Sequence, residues 1–333
     1  MAKKLRAALI GFGGMGHFHA NCYAKQKNVE LVAICDIDKK KFEVEKEKIN
    51  IGESEKTDLS GIAKYHSYEE LVRKAEFDLL DICLPCHLHA EYAVRAMKDG
   101  YHVLCEKPMA RTLAQADRMI RIARETNRKL MIAHCLRFAP NLVRLKEMIE
   151  KKEFGKLLRL DMRRVGALPK NKWYRDPAKS GGALLDLHLH DTDFVNFALG
   201  LPASVRTYGI ERDTGGIDDL MTAYQYSRGP VVNSEGSWCK GTWKCSIVAV
   251  FQKATVEVSK YDLLTVFRLD QEPEEIKFGK NTNPYFNEIA YFAECILKNR
   301  EPERCLPKST RDSIRIAGAE ERSARAKRTI CLR

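Results

Sequence analysis

Residues 186–191 read DLHLHD, two histidines and two acids in six positions, a set able either to hold a metal ion or to move a proton. The flanking SGGALL and TDFVNFALG predict one amphipathic helix from about Leu184 to Leu199. On a helix Asp186 and His190 stand four apart and share a face, Asp193 joins them one turn later, and His188 is turned away. Zinc held by His188, His190 and Asp191 fails on geometry, because the three side chains leave one helix in different directions, so no metal is expected here. Histidine, whose ordinary pKa lies near neutrality, is suited to take the proton of a hydroxyl, and what this set does depends on the rest of the sequence.

Three further motifs stand where strands end. GFGGMG puts Gly11, Gly13 and Gly16 in the G-x-G-x-x-G arrangement, with Phe12, Gly14 and Met15 between them, after one strand and before one helix. Gly11 permits the tight turn, Gly13 lets the backbone approach a pyrophosphate, and Gly16 allows the helix close against the sheet. Asp36 ends the second strand 20 residues after Gly16, where its carboxylate accepts from an adenosine ribose and repels a 2′-phosphate. NAD is therefore favoured over NADP, a preference that Lys39, Lys40 and Lys41 soften; Ile37 joins the same cofactor-facing set. CEKPM, residues 105–109, ends a later strand on the same side of the sheet, so Lys107 faces the nicotinamide end, pairs with Glu106 or a substrate oxygen, and steadies a developing alkoxide. Pro108 is a candidate for a cis bond. CLPCH, residues 83–87, matches both c-type haem attachment and a redox C-x-x-C. Haem attachment belongs to exported proteins and a thioredoxin-like pair opens a helix, whereas Cys83 lies inside an apolar run that Pro85 stops. Cys83 is then strand core, Leu84, Pro85 and His87 line the cofactor, and His89 caps or packs the next helix.

The elements that must position these residues fall into two sets. From Leu5 to about Ala133, RAALIG, VELVAICD, FDLLDICLP, YHVLCEKP and KLMIAHC alternate with helical stretches, which predicts a doubly wound parallel sheet. After Phe154 longer alternating strands, KLLRLDMRRVG, ASVRTYGIE, LMTAYQYS, VVNSEGSW, CSIVAVFQ and ATVEVS, predict an open, mostly antiparallel sheet with one wet face, in an α+β domain. Two helices, near Pro284 to Asn299 and Pro307 to Arg325, close the chain. The expected boundaries are 1–136 for the nucleotide-binding domain and 137–333 for the substrate domain. HCLRFAP, residues 134–140, joins the two, so Arg137 either holds a substrate hydroxyl or acid or ties the domains together. Trp173, Tyr174 and Arg175 precede the catalytic helix and either stack on a sugar ring or simply pack.

Composition narrows the classes. A chain of 333 residues, 44% hydrophobic, is large enough for two cores. Its net charge of +12 is dispersed through ordinary helices without a basic tail, so nucleic acid is not the expected partner; the densest run, Asp38 to Asn50, reads as an exposed helix. No apolar run spans a membrane, and the start MAKKLRAALIGFGG breaks at glycines too early for a signal-peptide core, which points to the cytoplasm. Eleven scattered cysteines fit a reducing compartment and predict no disulfides.

Taken together, GFGGMG, EKP at 106–108, WYRDPAKSGGALLDLHLHDTD at 173–193 and EP at 301–302 resemble the glucose-fructose oxidoreductase, inositol dehydrogenase and MocA family, in order and spacing along essentially the whole chain. The resemblance implies a Rossmann domain followed by an open-faced α/β domain with a nicotinamide cofactor between them, association as a homodimer or homotetramer through the open sheet, and catalytic positions at Lys107, Asp186 and His190. It departs at Cys86, where the family often has threonine or asparagine, and at VFQKATVEVS, which lacks the usual glycine-rich turn. The expected activity is oxidation of a secondary hydroxyl of a sugar, cyclic polyol or glycoside by NAD(P). His190 is the base, Lys107 the positive group, and Asp186 the residue that orients substrate or tunes the pair; Asp193 either fixes the tautomer of His190 or makes a buried hydrogen bond. The rival expectations are an NAD-dependent glycosidase that oxidises its sugar transiently, a reductase running from NADH, and a non-catalytic NAD(P)-binding sensor.

Overall fold

A computed structural model of the chain describes residues 4–44, 48–49, 52–53, 58–260, 262–279 and 282–332. The chain forms two compact units, 1–133 with 285–308 and 134–284 with 309–333. The expected boundary at 136/137 falls close to the first division, but the segment 285–308, placed by sequence in the second domain, packs with the first unit. Among the described residues no helix is long and apolar enough to cross a membrane.

The first unit holds a parallel sheet of six strands. In spatial order they are Ala63–Tyr65, Val29–Cys35, Leu5–Ile10, Leu79–Ile82, His102–Glu106 and Leu130–Ala133. The central strands are apolar almost without interruption and buried, as strands covered on both faces must be. Strand order reverses between Leu5–Ile10 and Leu79–Ile82, so Gly11 and Cys83 leave the sheet at the point where a doubly wound sheet binds ligands. The edge strand Ala63–Tyr65 has three residues and is mostly exposed, too short for a periodic signal.

The predicted helix from Asp38 to Asn50 is a correction. Asp38 caps a single 3₁₀ turn, Lys39–Phe42, by accepting from the Lys40 N–H at 3.1 Å. Lys48–Ile49 and Gly52–Glu53 form a short antiparallel pair, while 45–47 and 50 lie outside the described residues. Charges at helical spacing contribute only tenths of a kcal/mol each, about 0.2–0.5 per pair, and the run has no apolar stripe to pack.

The second unit holds nine strands in the order Glu274–Lys277, Leu263–Phe267, Thr255–Lys260, Cys239–Phe251, Leu157–Ala167, Val231–Ser237, Asp219–Gln225, Ser204–Ile210 and Ile330–Cys331. Neighbours are antiparallel except Leu157–Ala167 with Val231–Ser237, which run parallel. Val205, Leu220, Tyr224 and Leu160 line the buried face; Tyr208, Met221 and Val231 stand on the open one. The glycine-free turn of VFQKATVEVS is closed by the Phe251 N–H to the Ala254 carbonyl (2.8 Å) and tied down through Gln252 and Lys253 to Lys156 and Phe154, so no left-handed residue is needed there.

Candidate active site

The GFGGMG turn is shaped by what its backbone must pass. Gly11 has φ +94°, and a Cβ on it would stand 2.6 Å from the Cys83 carbonyl oxygen. A Cβ on Gly16 would lie 2.2 Å from the Gly11 oxygen, so helix and turn meet backbone to backbone. Gly13 differs: a Cβ there would meet nothing within 4 Å. It opens the helix Gly14–Ala24, whose N-terminus has no side-chain cap and no acid in its first turn. Uncapped amides beside a bare backbone fit a pyrophosphate. Phe12 serves through its main chain, since its ring is core with Leu9, Ala20 and Ile34; Gly14 and Met15 are half-buried.

Asp36 locks this turn to the second strand. Its carboxylate accepts from the Phe12 N–H at 2.7 Å and the Asp38 N–H at 2.9 Å, one on each oxygen, and each oxygen keeps a second lone pair for a ribose hydroxyl. Ile37 beside it is 88% exposed.

The CLPCH segment is loop that begins one residue past the strand Leu79–Ile82, so Cys83, expected as strand core, is a half-buried residue just beyond it. The Cys83 N–H donates to the Ile10 carbonyl at 2.8 Å, Cys86–Leu88 is a 3₁₀ turn, and Leu84, Pro85 and His87 are half-buried along it. His89 does more than cap: its Nδ1 lies 2.8 Å from the Pro108 oxygen and its Nε2 2.7 Å from the Leu84 oxygen, tying this loop to the turn after the next strand. All eleven cysteines are thiols, and burial pushes the Cys83 thiol well up, away from the thiolate a redox pair needs. The double variant Cys83→Ala, Cys86→Ser should therefore keep most of the turnover, and the purified protein should carry no covalent haem by absorption spectrum and mass. Activity lost in the variant and restored by added zinc would contradict this.

Lys107 follows the fifth strand through a cis Lys107–Pro108 bond, and its N–H donates to Glu106 Oε2 at 3.0 Å. Lys107 is half-buried and Glu106 buried. Behind Glu106 stand His19 and Asp81, which the sequence analysis passed over; an acid inside the apolar run LLDICL was the available signal, because a buried strand carries a charge only when something pairs it.

In the second unit, Gly181 and Gly182 (φ +85° and +69°) turn the chain against Ile217, and the helical path begins with a π-turn, Leu184–His188, before the α-helix Leu189–Leu199. The predicted single helix is thus one path with a widened turn at Asp186. From Gly182 to Asn196 every residue is buried except Asp186 and His190. His188 is wholly buried, its Nε2 3.2 Å from the Tyr224 hydroxyl, and Gly236 is required opposite, since a Cβ there would meet its Nδ1 at 2.6 Å. Asp191 is occupied by Arg164 at 2.8 Å.

Arg137, a candidate to hold substrate, pairs with Asp193. Arg137 and Asp193, each 1% exposed, form a bidentate pair at 2.8 and 2.7 Å, and Asp193 also accepts from Ser313 at 2.7 Å and lies 3.3 Å from His134 Nδ1. Asp193 is thus the anchor of Arg137. Trp173 and Tyr174 stack on each other at 4.0 Å, and Tyr174 meets the buried Trp238 edge-on; Arg175 is exposed.

Residues 5–134 match the family described as oxidoreductase family, NAD-binding Rossmann fold, and residues 142–257 match the GFO/IDH/MocA C-terminal domain. The chain belongs to the GFO/IDH/MocA oxidoreductase family. Among its relatives in that family are myo-inositol 2-dehydrogenase of Thermotoga maritima, 30% identical over 59% of this chain, and D-glucoside 3-dehydrogenase of Escherichia coli, 28% identical over 62%. These matches span 55% and 58% of the relatives' own lengths. The fold is that of aldose-aldose oxidoreductase from Caulobacter crescentus, with a TM-score of 0.86 and 22% identity over 99% of this chain and 100% of the other.

Proposed function

We propose that the protein is an NAD-dependent dehydrogenase that oxidises a secondary hydroxyl of a sugar, cyclic polyol or glycoside. The observation that carries this reading is the pattern on the helical segment 182–196, where Asp186 and His190 alone among buried neighbours reach towards the surface. When bound, nicotinamide supplies the two-electron acceptor. His190 removes the hydroxyl proton, the Lys107 ammonium steadies the oxygen as negative charge develops on it, and Asp186 orients the substrate beside His190. Support for a sugar or polyol comes from the relatives, whose names place their action on inositol and a glucoside.

A panel of inositols, hexoses and glycosides, followed by NADH absorbance, tests the reading: NADH should form with at least one of these compounds. Glycoside cleavage with no net NADH would favour transient oxidation instead. On the cofactor side, Asp36 at the end of the second strand predicts that NAD binds more tightly than NADP and that Asp36→Ala narrows the gap. Calorimetry finding NADP the tighter ligand of the wild type would contradict this and direct attention to Lys39, Lys40 and Lys41.

A further inference from the structure

Beneath the glycine turn of the first unit lies a set of buried ionisable groups to which the reaction above gives no part. His19, on the helix Gly14–Ala24, is wholly buried; its Nδ1 is 2.8 Å from Asp81 Oδ2 and its Nε2 3.1 Å from Glu106 Oε1. The other oxygen of Glu106 accepts the Lys107 N–H at 3.0 Å. From the helix Pro284–Leu297, Glu288 brings a third carboxyl, with an oxygen within 4.8 Å of both the His19 nitrogen and the Glu106 oxygen. Both Glu288 oxygens are buried without a hydrogen-bond partner among the described residues.

We propose that His19 is a positioning residue for Lys107: clamped between Asp81 and Glu106, it fixes the Glu106 carboxylate, which in turn holds the backbone N–H from which the lysine side chain departs. The proposal deepens the dehydrogenase reading and rests on it for the role of Lys107.

The charges agree with this arrangement. An imidazole with a carboxylate oxygen at each nitrogen can donate to both only when protonated. Burial alone would push His19 down, but the charge and hydrogen bond of Asp81 act against this, and His19 is held well above the ordinary histidine value. Burial would raise Glu106, yet His19 and Lys107 bring it below the usual carboxylate range. Burial, then Glu106, pushes Glu288 well up, which favours its neutral form. Burial and Asp81 likewise keep the Tyr23 hydroxyl and the Cys83 thiol protonated, and the Tyr285 ring closes that side, 6.1 Å from the His19 ring. Asp81 and Glu106 are then balanced by His19 and Lys107, as buried charges must be. Sliding Lys107 out of this frame misplaces its ammonium, and a shift of about 1 Å in a reacting group costs on the order of a hundredfold in rate.

The test compares His19→Asn, Glu106→Gln and Glu288→Gln in the full chain. Its readouts are NAD affinity, kcat and KM, metal content, and acetic anhydride labelling of Lys107 by peptide mass spectrometry. Expected are folded His19→Asn and Glu106→Gln proteins in which Lys107 labels faster than in the wild type. Their kcat should fall by about ten- to a hundredfold at little-changed KM, while Glu288→Gln behaves as the wild type. If His19→Asn does not fold, Glu106→Gln decides alone. Unchanged Lys107 labelling in folded Glu106→Gln would overturn the proposal, as would one metal ion per wild-type chain that is lost in Glu288→Gln, which would make the cluster a metal centre. A wild type inactive on every alcohol would defeat the dehydrogenase reading, while the labelling would still decide whether His19 holds Lys107.

Discussion

His190→Ala is expected to lower turnover by about two to four orders of magnitude, the usual worth of a positioned general base, while NAD affinity barely changes. His188→Ala is the internal control. It lies two residues away, but its ring is sealed against Tyr224 and Gly236, so its loss should appear as lowered stability and not in the chemical step. Lys107→Ala should also cut turnover, and adding it to His190→Ala should cost less than the product of the single effects, since the proposed mechanism has both residues serve one developing alkoxide. Steady-state kinetics on the folded variants decide it. Normal turnover in His190→Ala, or a stable His188→Ala enzyme equally dead, would contradict the assignment.

The second large effect is on stability. Arg137→Ala leaves Asp193 buried beside His134 and Ser313 without its guanidinium, and should cost about 3–5 kcal/mol of unfolding free energy, as removal of one partner of a buried ion pair does. Arg137→Lys should recover only part of this, since an ammonium cannot reproduce the two-pronged contact. Burial would raise Asp193, but Arg137, followed by His134 and Ser313, draws it below the usual carboxylate value. A depressed folded-state value means that the contribution is present above the unfolded carboxylate pKa of about 3.9 and is lost as pH falls through the folded one. Urea unfolding as a function of pH should accordingly show the wild-type advantage over Arg137→Ala shrinking in acid. A difference below about 1 kcal/mol at neutral pH would class the pair with weak surface bridges instead.

What the sequence made legible was local. GFGGMG and Asp36 lie within one strand–helix–strand unit, so type and spacing were enough to predict a turn that the structure closes through the Phe12 N–H and the Asp36 carboxylate. Asp186 and His190 stood out in the sequence because helical periodicity separates them from His188, and along 182–196 they are the two half-buried positions, with the π-turn at Leu184–His188 between buried neighbours. Long-range pairing was not legible. His19 meets Asp81 across 62 residues and Glu106 across 87, and Arg137 meets Asp193 across 56, distances over which only the assembled fold chooses partners. Arg137 illustrates the consequence: an arginine near a domain junction reads as a candidate ligand for substrate until the acid that occupies it is seen. The Asp38–Asn50 run failed for a different reason, since charge periodicity without an apolar stripe gives a helix nothing to pack against.

The most direct test of the central claim is the stoichiometry of NADH and product, with NADH followed by absorbance and product by mass, in wild-type protein supplied with NAD and the panel of inositols, hexoses and glycosides. Each NADH formed should be matched by one product molecule that has lost two hydrogens from a secondary alcohol, and both signals should collapse together in His190→Ala. Glycoside cleavage without net NADH, or cofactor binding with no alcohol on the panel oxidised, would contradict it.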